Sequence, residues 1–136
     1  MLRFCNAPLF LILVIWPILL DAQTLITDTN IQTAVDQWLS DPSEAEDAYG
    51  HISTWNTSAV TDMSGLFEDK NAFNDDISNW EVSAVTDMNN MFNNAHAFNQ
   101  DIGNWNFSSV HYMSRILNDS DAFNDDMGTC NVSTVT

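Results

Sequence analysis

Apolar residues recur along this chain at a spacing of 25 positions, separated by Asn, Asp and Ser. Trp55, Trp80 and Trp105 mark the phase, with Cys130 where a fourth tryptophan falls. Val60, Val85, Val110 and Val135 keep it, as do Met63, Met88 and Met113, and Phe73, Phe98 and Phe123. A fixed period of this length is the mark of stacked-repeat architectures, in which one unit cannot bury its own apolar face. Within a unit, Ile77 to Val82 is short, β-branched and aromatic, and predicts a strand. Ser83 suits a turn. Val85, Met88, Met91 and Phe92 then fall three or four apart or side by side, predicting a short helix with one apolar stripe. Ala97 and Phe98 close the unit, and strands of successive units are expected parallel at about 4.8 Å.

The segment before the repeats has a different pattern. Ile31, Ala34, Val35, Trp38 and Leu39 predict an amphipathic helix, with an N-cap at Thr27-Asp28 and a stop at Asp41-Pro42. A second short helix is expected from Ser43 to Tyr49, closed by Gly50. An open stack end exposes apolar residues, so residues 23–50 are expected to be a helical cap. Residues 51–136 then hold three units and a truncated fourth. The chain stops in mid-unit at Thr136, the phase of Thr61 and Thr86, which suggests a fragment or an interrupted gene product. Residues 1–22 combine Arg3, an apolar run from Leu9 to Leu20 and a small Ala22, and predict a cleaved secretory signal. The run is too short to span a bilayer comfortably, so no integral span is expected after cleavage.

Charge narrows the partners. Lys and Arg together number 3 against 19 Asp and Glu, a formal net charge of −16. Such a chain repels phosphate backbones, so no nucleic-acid partner is expected. Cys5 lies in the signal-like segment, leaving Cys130 alone beyond it; no internal disulfide is expected there.

The units FNDDISNWEVSAVTDMNNMF and FNQDIGNWNFSSVHYMSRIL resemble the BspA-like leucine-rich-repeat surface proteins, in the branch with a 25-residue repeat. The likeness runs from His51 to Thr136, and the segment AVDQWLSDPSEAEDAYGHISTW resembles the start of the repeat region in such proteins. It implies a secreted or cell-surface chain with roles in adhesion and protein interaction, and no catalytic residues. Cys130 for Trp, Leu117 for Phe and His111-Tyr112 for Thr-Asp depart from the repeat pattern and make the last unit the weakest match.

Several residues invite chemistry. Asn74, Asn99 and Asn124 are expected to hydrogen-bond successive turns as a ladder, with Ser58, Ser83, Ser108 and Ser133 read in the same way. Asp76, Asp101 and Asp126 stack as like charges, so each either accepts backbone N–H groups at a turn or shares a hard cation such as calcium. The turn reading is preferred, and neither cofactor nor metal is assigned. The three tryptophans are read as core rather than a sugar-stacking stripe. His51, His96 and His111 fall in three different phases and form no zinc pattern. Asn56, Asn106, Asn118 and Asn131 open N-x-S sequons; Asn118 stands outside the repeat phase and is the best single candidate for a glycan.

These readings combine into an α/β repeat: a right-handed leucine-rich-repeat-like solenoid of short parallel strands and short helices with an N-terminal helical cap. The expected function is non-enzymatic binding of a protein or glycan at or outside the cell surface. A structural wall or matrix component and a calcium-binding module are the alternatives, and a hydrolase is disfavoured.

Overall fold

The computed structural model describes residues 24–128 and 130–136. The signal-like segment 1–22, with Cys5, lies outside the described residues. Two helices open the described chain, α1 (Ile31–Ser40) and α2 (Pro42–Tyr49). Along α1 the buried residues are Ile31, Ala34, Val35 and Trp38, one stripe at three- and four-residue steps. Asn30, not Thr27-Asp28, precedes its first turn, and Asn30 Oδ1 accepts the Thr27 N–H at 2.8 Å. Pro42 starts α2, where its missing N–H costs nothing, and the Asp41 carboxylate accepts the Glu44 N–H at 3.1 Å. Gly50 ends α2 at φ +80°, a conformation that favours glycine.

The repeat region overturns the expected secondary structure. Among the described residues no sheet forms, and strand-like pairing is limited to two isolated parallel bridges, Asp62 with Asp87 and Asp87 with Tyr112. The predicted strand from Ile77 to Val82 contains a turn closed by Trp80 N–H on the Ile77 carbonyl at 3.0 Å. The predicted helix over Val85 to Phe92 is absent too. Its residues form successive tight turns, with Met91 N–H on Met88 O and Asn93 N–H on Asn90 O. Alternate N–H groups leave the unit altogether: Met88, Asn90, Phe92 and Asn94 donate to the carbonyls of Tyr112, Ser114, Ile116 and Asn118, each at 2.8 Å. Met63, Gly65, Phe67 and Asp69 do the same to Asp87, Asn89, Met91 and Asn93.

Two left-handed positions in each unit make this zigzag. Gly65, Asn90 and Arg115 have φ of +63°, +57° and +56°, and Asp69, Asn94 and Asp119 have +60°, +58° and +55°. A left-handed residue every fourth position is incompatible with an α-helix. It turns alternate N–H groups outward, toward the next unit. The structure is therefore not an α/β leucine-rich-repeat solenoid; it is a set of turn-built units joined edge to edge by backbone hydrogen bonds.

Burial follows the repeat phase. Leu66, Phe67, Ile77, Val85, Met88, Met91, Phe92, Phe98 and Ile102 are all at most 1% exposed. Equivalent rings stack between units: Phe67 on Phe92 at 5.4 Å, Phe73 on Phe98 at 5.9 Å, Phe98 on Phe123 at 5.8 Å and Trp55 on Trp80 at 5.9 Å. Each such pair contributes about 0.5–1.5 kcal/mol beyond its buried area.

The cap replaces a unit ahead of the first one. Thr86 N–H donates to the Thr61 carbonyl at 2.8 Å, and His111 N–H to the Thr86 carbonyl at 2.9 Å. Thr61 has no unit before it. The Asp28 carboxylate stands in, accepting Thr61 N–H at 2.7 Å, the Thr61 hydroxyl at 2.7 Å and Asp62 N–H at 3.2 Å. Burial opposes ionisation of Asp28, but these three donors outweigh it and hold its carboxyl below the usual carboxylate value.

Candidate functional site

The cap does not cover the whole leading edge of the first unit. Between it and the turn from Lys70 to Asp75 lies a cleft of about 920 Å³, lined by Trp38, Leu39, Pro42 and Glu46 on one side and by Lys70 to Asp75 on the other. Helix α1 positions its floor: the Trp38 indole N–H donates to Asp75 Oδ2 at 2.8 Å and its ring meets His51 edge-on at 4.8 Å. At the Lys70 side, the Lys70 ammonium pairs with Asp36 at 3.0 Å, an exposed contact worth little alone. Leu39, Pro42, His51 and Ala72 are solvent-exposed here, so the walls are mixed rather than greasy. The volume lies in the roughly 300–1,000 Å³ range of ligand clefts.

The residues singled out by sequence are distributed as follows. Trp55, Trp80 and Trp105 are buried, at 3%, 3% and 5% exposure, so they present no stacking stripe to solvent. Trp55 Nε1 donates to the Gly50 carbonyl at 2.7 Å and Trp80 Nε1 to the Ile52 carbonyl at 2.9 Å, while Trp105 Nε1 has no partner among the described residues. Val60, Val85, Val110, Met63, Met88, Phe73 and Phe98 are buried, and Met113 and Phe123 of the later units are half-buried. Cys130 is half-buried in the fourth tryptophan's place; burial pushes its thiol pKa up, and Asp125 and Asp126 push it further.

The asparagine ladder runs side chain to backbone. Asn99 N–H donates to Asn74 Oδ1 at 2.8 Å and Asn124 N–H to Asn99 Oδ1 at 2.9 Å. Asp76, Asp101 and Asp126 each accept a backbone N–H two residues on, from Ser78, Gly103 and Gly128. The Ser78 hydroxyl, and then its N–H, lower the Asp76 pKa. No group of three or more His, Cys, Asp or Glu among the described residues is arranged to hold a metal. The serines differ from their expected role: Ser58, Ser83, Ser108 and Ser133 bond locally to Asn56, Glu81, Asn106 and Asn131. Asn56, Asn106 and Asn131 are exposed. Asn118 is exposed as well, but its amide nitrogen donates to Asn93 Oδ1 and Asp119 Oδ2, both at 2.9 Å, which ties up the atom a glycan would take.

Sequence reasoning missed the side-chain rungs Asn93 to Glu68 at 2.9 Å and Asn94 to Asp69 at 2.7 Å. A common phase of amide over carboxylate was the available signal. It also missed Asp28 and the cleft, whose walls are some 30 residues apart in sequence.

No helix among the described residues is long and apolar enough to cross a membrane. No curated protein and no solved structure matches the chain. A family model described as "Mycoplasma protein of unknown function, DUF285" matches residues 30–136, both helices and every repeat, and fits the BspA-like resemblance of the units. The chain belongs to that DUF285 family.

Proposed function

We propose that this chain is a non-enzymatic binding protein that works at or outside the cell surface and takes a protein or glycan partner. The observation that carries the reading is the cleft at the cap junction, held open by a hydrogen-bonded floor on a stack of repeated units. Preorganised clefts of this kind bind without a large ordering cost. The signal-like segment and the resemblance of the units to the 25-residue branch of BspA-like surface proteins support the location.

The test is a titration of fluorescently labelled protein onto intact cells and onto immobilised extracellular proteins and glycans. Saturable binding that unlabelled protein displaces supports the reading. Linear, non-displaceable retention on walls alone contradicts it and favours a structural wall component.

A further inference from the structure

The repeat supplies a template for an occupant of the cleft. In the second unit, Ala97 N–H donates to the Asn71 carbonyl at 3.0 Å and Asn99 N–H to Asn74 Oδ1 at 2.8 Å. In the third, Ala122 N–H donates to the His96 carbonyl at 3.2 Å and Asn124 N–H to Asn99 Oδ1 at 2.9 Å. The same pair of donors thus takes the same pair of acceptors twice. These are a backbone carbonyl and, three residues on, an asparagine side-chain oxygen, with a phenylalanine just before the asparagine. In the first unit the equivalent donors are Ala72 N–H and Asn74 N–H. Both residues line the cleft, and neither N–H has a hydrogen-bond partner among the described residues. Where later units meet a preceding unit, these two meet the space between the cap and the turn.

We infer that the cleft binds an extended peptide segment of the type x-Ala-aromatic-Asn, offered by a partner protein. Its first carbonyl accepts from Ala72 N–H and its asparagine side chain from Asn74 N–H. Its aromatic residue lies on the exposed apolar wall of Leu39 and Pro42, above the Trp38 floor. Two donors on alternate residues match an added extended chain, and backbone pairing supplies affinity while the aromatic and asparagine supply selectivity. Charge sets the rest of the sequence. Lys70 at the cleft is paired with Asp36, which leaves Glu46, Asp75 and a net charge of −16 to favour an asparagine over an aspartate and basic flanks over acidic ones.

The inference rests on the binding reading above and is tested separately from it. Isotope-labelled chain is titrated with the blocked hexapeptide KNAFNK and with KNAANK and KNAFLK, following backbone amides by NMR. Saturable shifts at Ala72 and Asn74, with about tenfold weaker binding of each control peptide, are expected. Leu39→Gln, an exposed and uncharged wall change, weakens KNAFNK binding by a similar factor and leaves the folded spectrum intact. No saturable binding below about 1 mM, or shifts confined to other units, overturns the inference. If labelled chain still binds cells while the peptide and Leu39→Gln have no effect, the inference fails and the binding function stands. If the peptide binds the cleft but cells do not bind the chain, the function fails and the cleft assignment stands.

Discussion

Arg115 offers a substitution whose sign separates the observed units from helical ones. It occupies the column of Gly65 and Asn90, at φ +56°, and its side chain is exposed and makes no hydrogen bond among the described residues. A left-handed conformation costs a non-glycine residue about 1–2 kcal/mol. Glycine removes that cost but gives back about 0.4–1 kcal/mol through the greater freedom of the unfolded chain. Arg115→Gly is therefore expected to stabilise the protein by roughly 0.5–1 kcal/mol. At about 4–8 °C per kcal/mol for a domain near this size, the melting temperature rises by about 2–8 °C. Asn90, at φ +57° and half-buried, gives the companion experiment. Asparagine tolerates the left-handed region, so Asn90→Ala is expected to cost about 1 kcal/mol and Asn90→Gly close to nothing. In a helix every sign reverses: glycine costs up to about 1 kcal/mol relative to alanine, and Asn→Ala stabilises. Thermal and urea unfolding followed by tryptophan fluorescence measures both series. A lower melting temperature for Arg115→Gly, together with a higher one for Asn90→Ala, would refute the turn-built unit.

Substitutions at Asp28 probe the cap, and alkylation of Cys130 probes the last unit. Asp28→Ala removes an exposed acceptor of two backbone N–H groups and a hydroxyl and is expected to cost about 1–2 kcal/mol, with Asp28→Asn losing less. Because the folded pKa of Asp28 lies below its unfolded value, its contribution is full above the usual carboxylate range and is lost as pH falls through the folded value. Stability measured from pH 6 down to pH 2 should therefore decline less in Asp28→Asn than in the parent. Cys130, its thiol raised by burial and by the nearby Asp125 and Asp126, is expected to alkylate more slowly at neutral pH in the folded chain than in guanidinium. Equal rates in the two states contradict its half-buried place beside the Gly103 carbonyl of the third unit, 3.8 Å from its Sγ.

The period, the buried columns and the helical cap segment were legible because burial leaves an apolar mark at fixed phase: Trp55 over Trp80, Phe73 over Phe98, and Val35 with Trp38 on one stripe of α1. The local backbone was misread because Val85, Met88, Met91 and Phe92 have the spacing of a helical stripe. Successive tight turns return a side chain to the core every three or four residues just as a helix does. The contrary signal was the column Gly65, Asn90, with Asp69, Asn94 and Asp119 four residues on. Glycine, asparagine and aspartate are the residues that enter the left-handed region most readily. Arg115 broke the first column and hid it. Asp28 was illegible for another reason: its partners, Thr61 and Asp62, are set by the docking of the cap, which no local pattern records. The cleft was hidden likewise, since the Ala72 and Asn74 N–H groups lack partners among the described residues where the cap stops short of them.

The central claim is that backbone N–H groups join units at alternate residues instead of closing helices within them. Amide hydrogen exchange, resolved by residue, tests it most directly. The account predicts protection at Met88, Asn90, Phe92 and Asn94, donors to the following unit, and at Met63, Gly65, Phe67 and Asp69 in the unit before. It predicts faster exchange at Asn89, whose acceptor among the described residues is the half-buried Asp87 side chain and not a backbone carbonyl, and little helical signal in far-UV dichroism beyond that of α1 and α2. Unbroken protection from Met88 to Asn94 with a strong helical spectrum would contradict it.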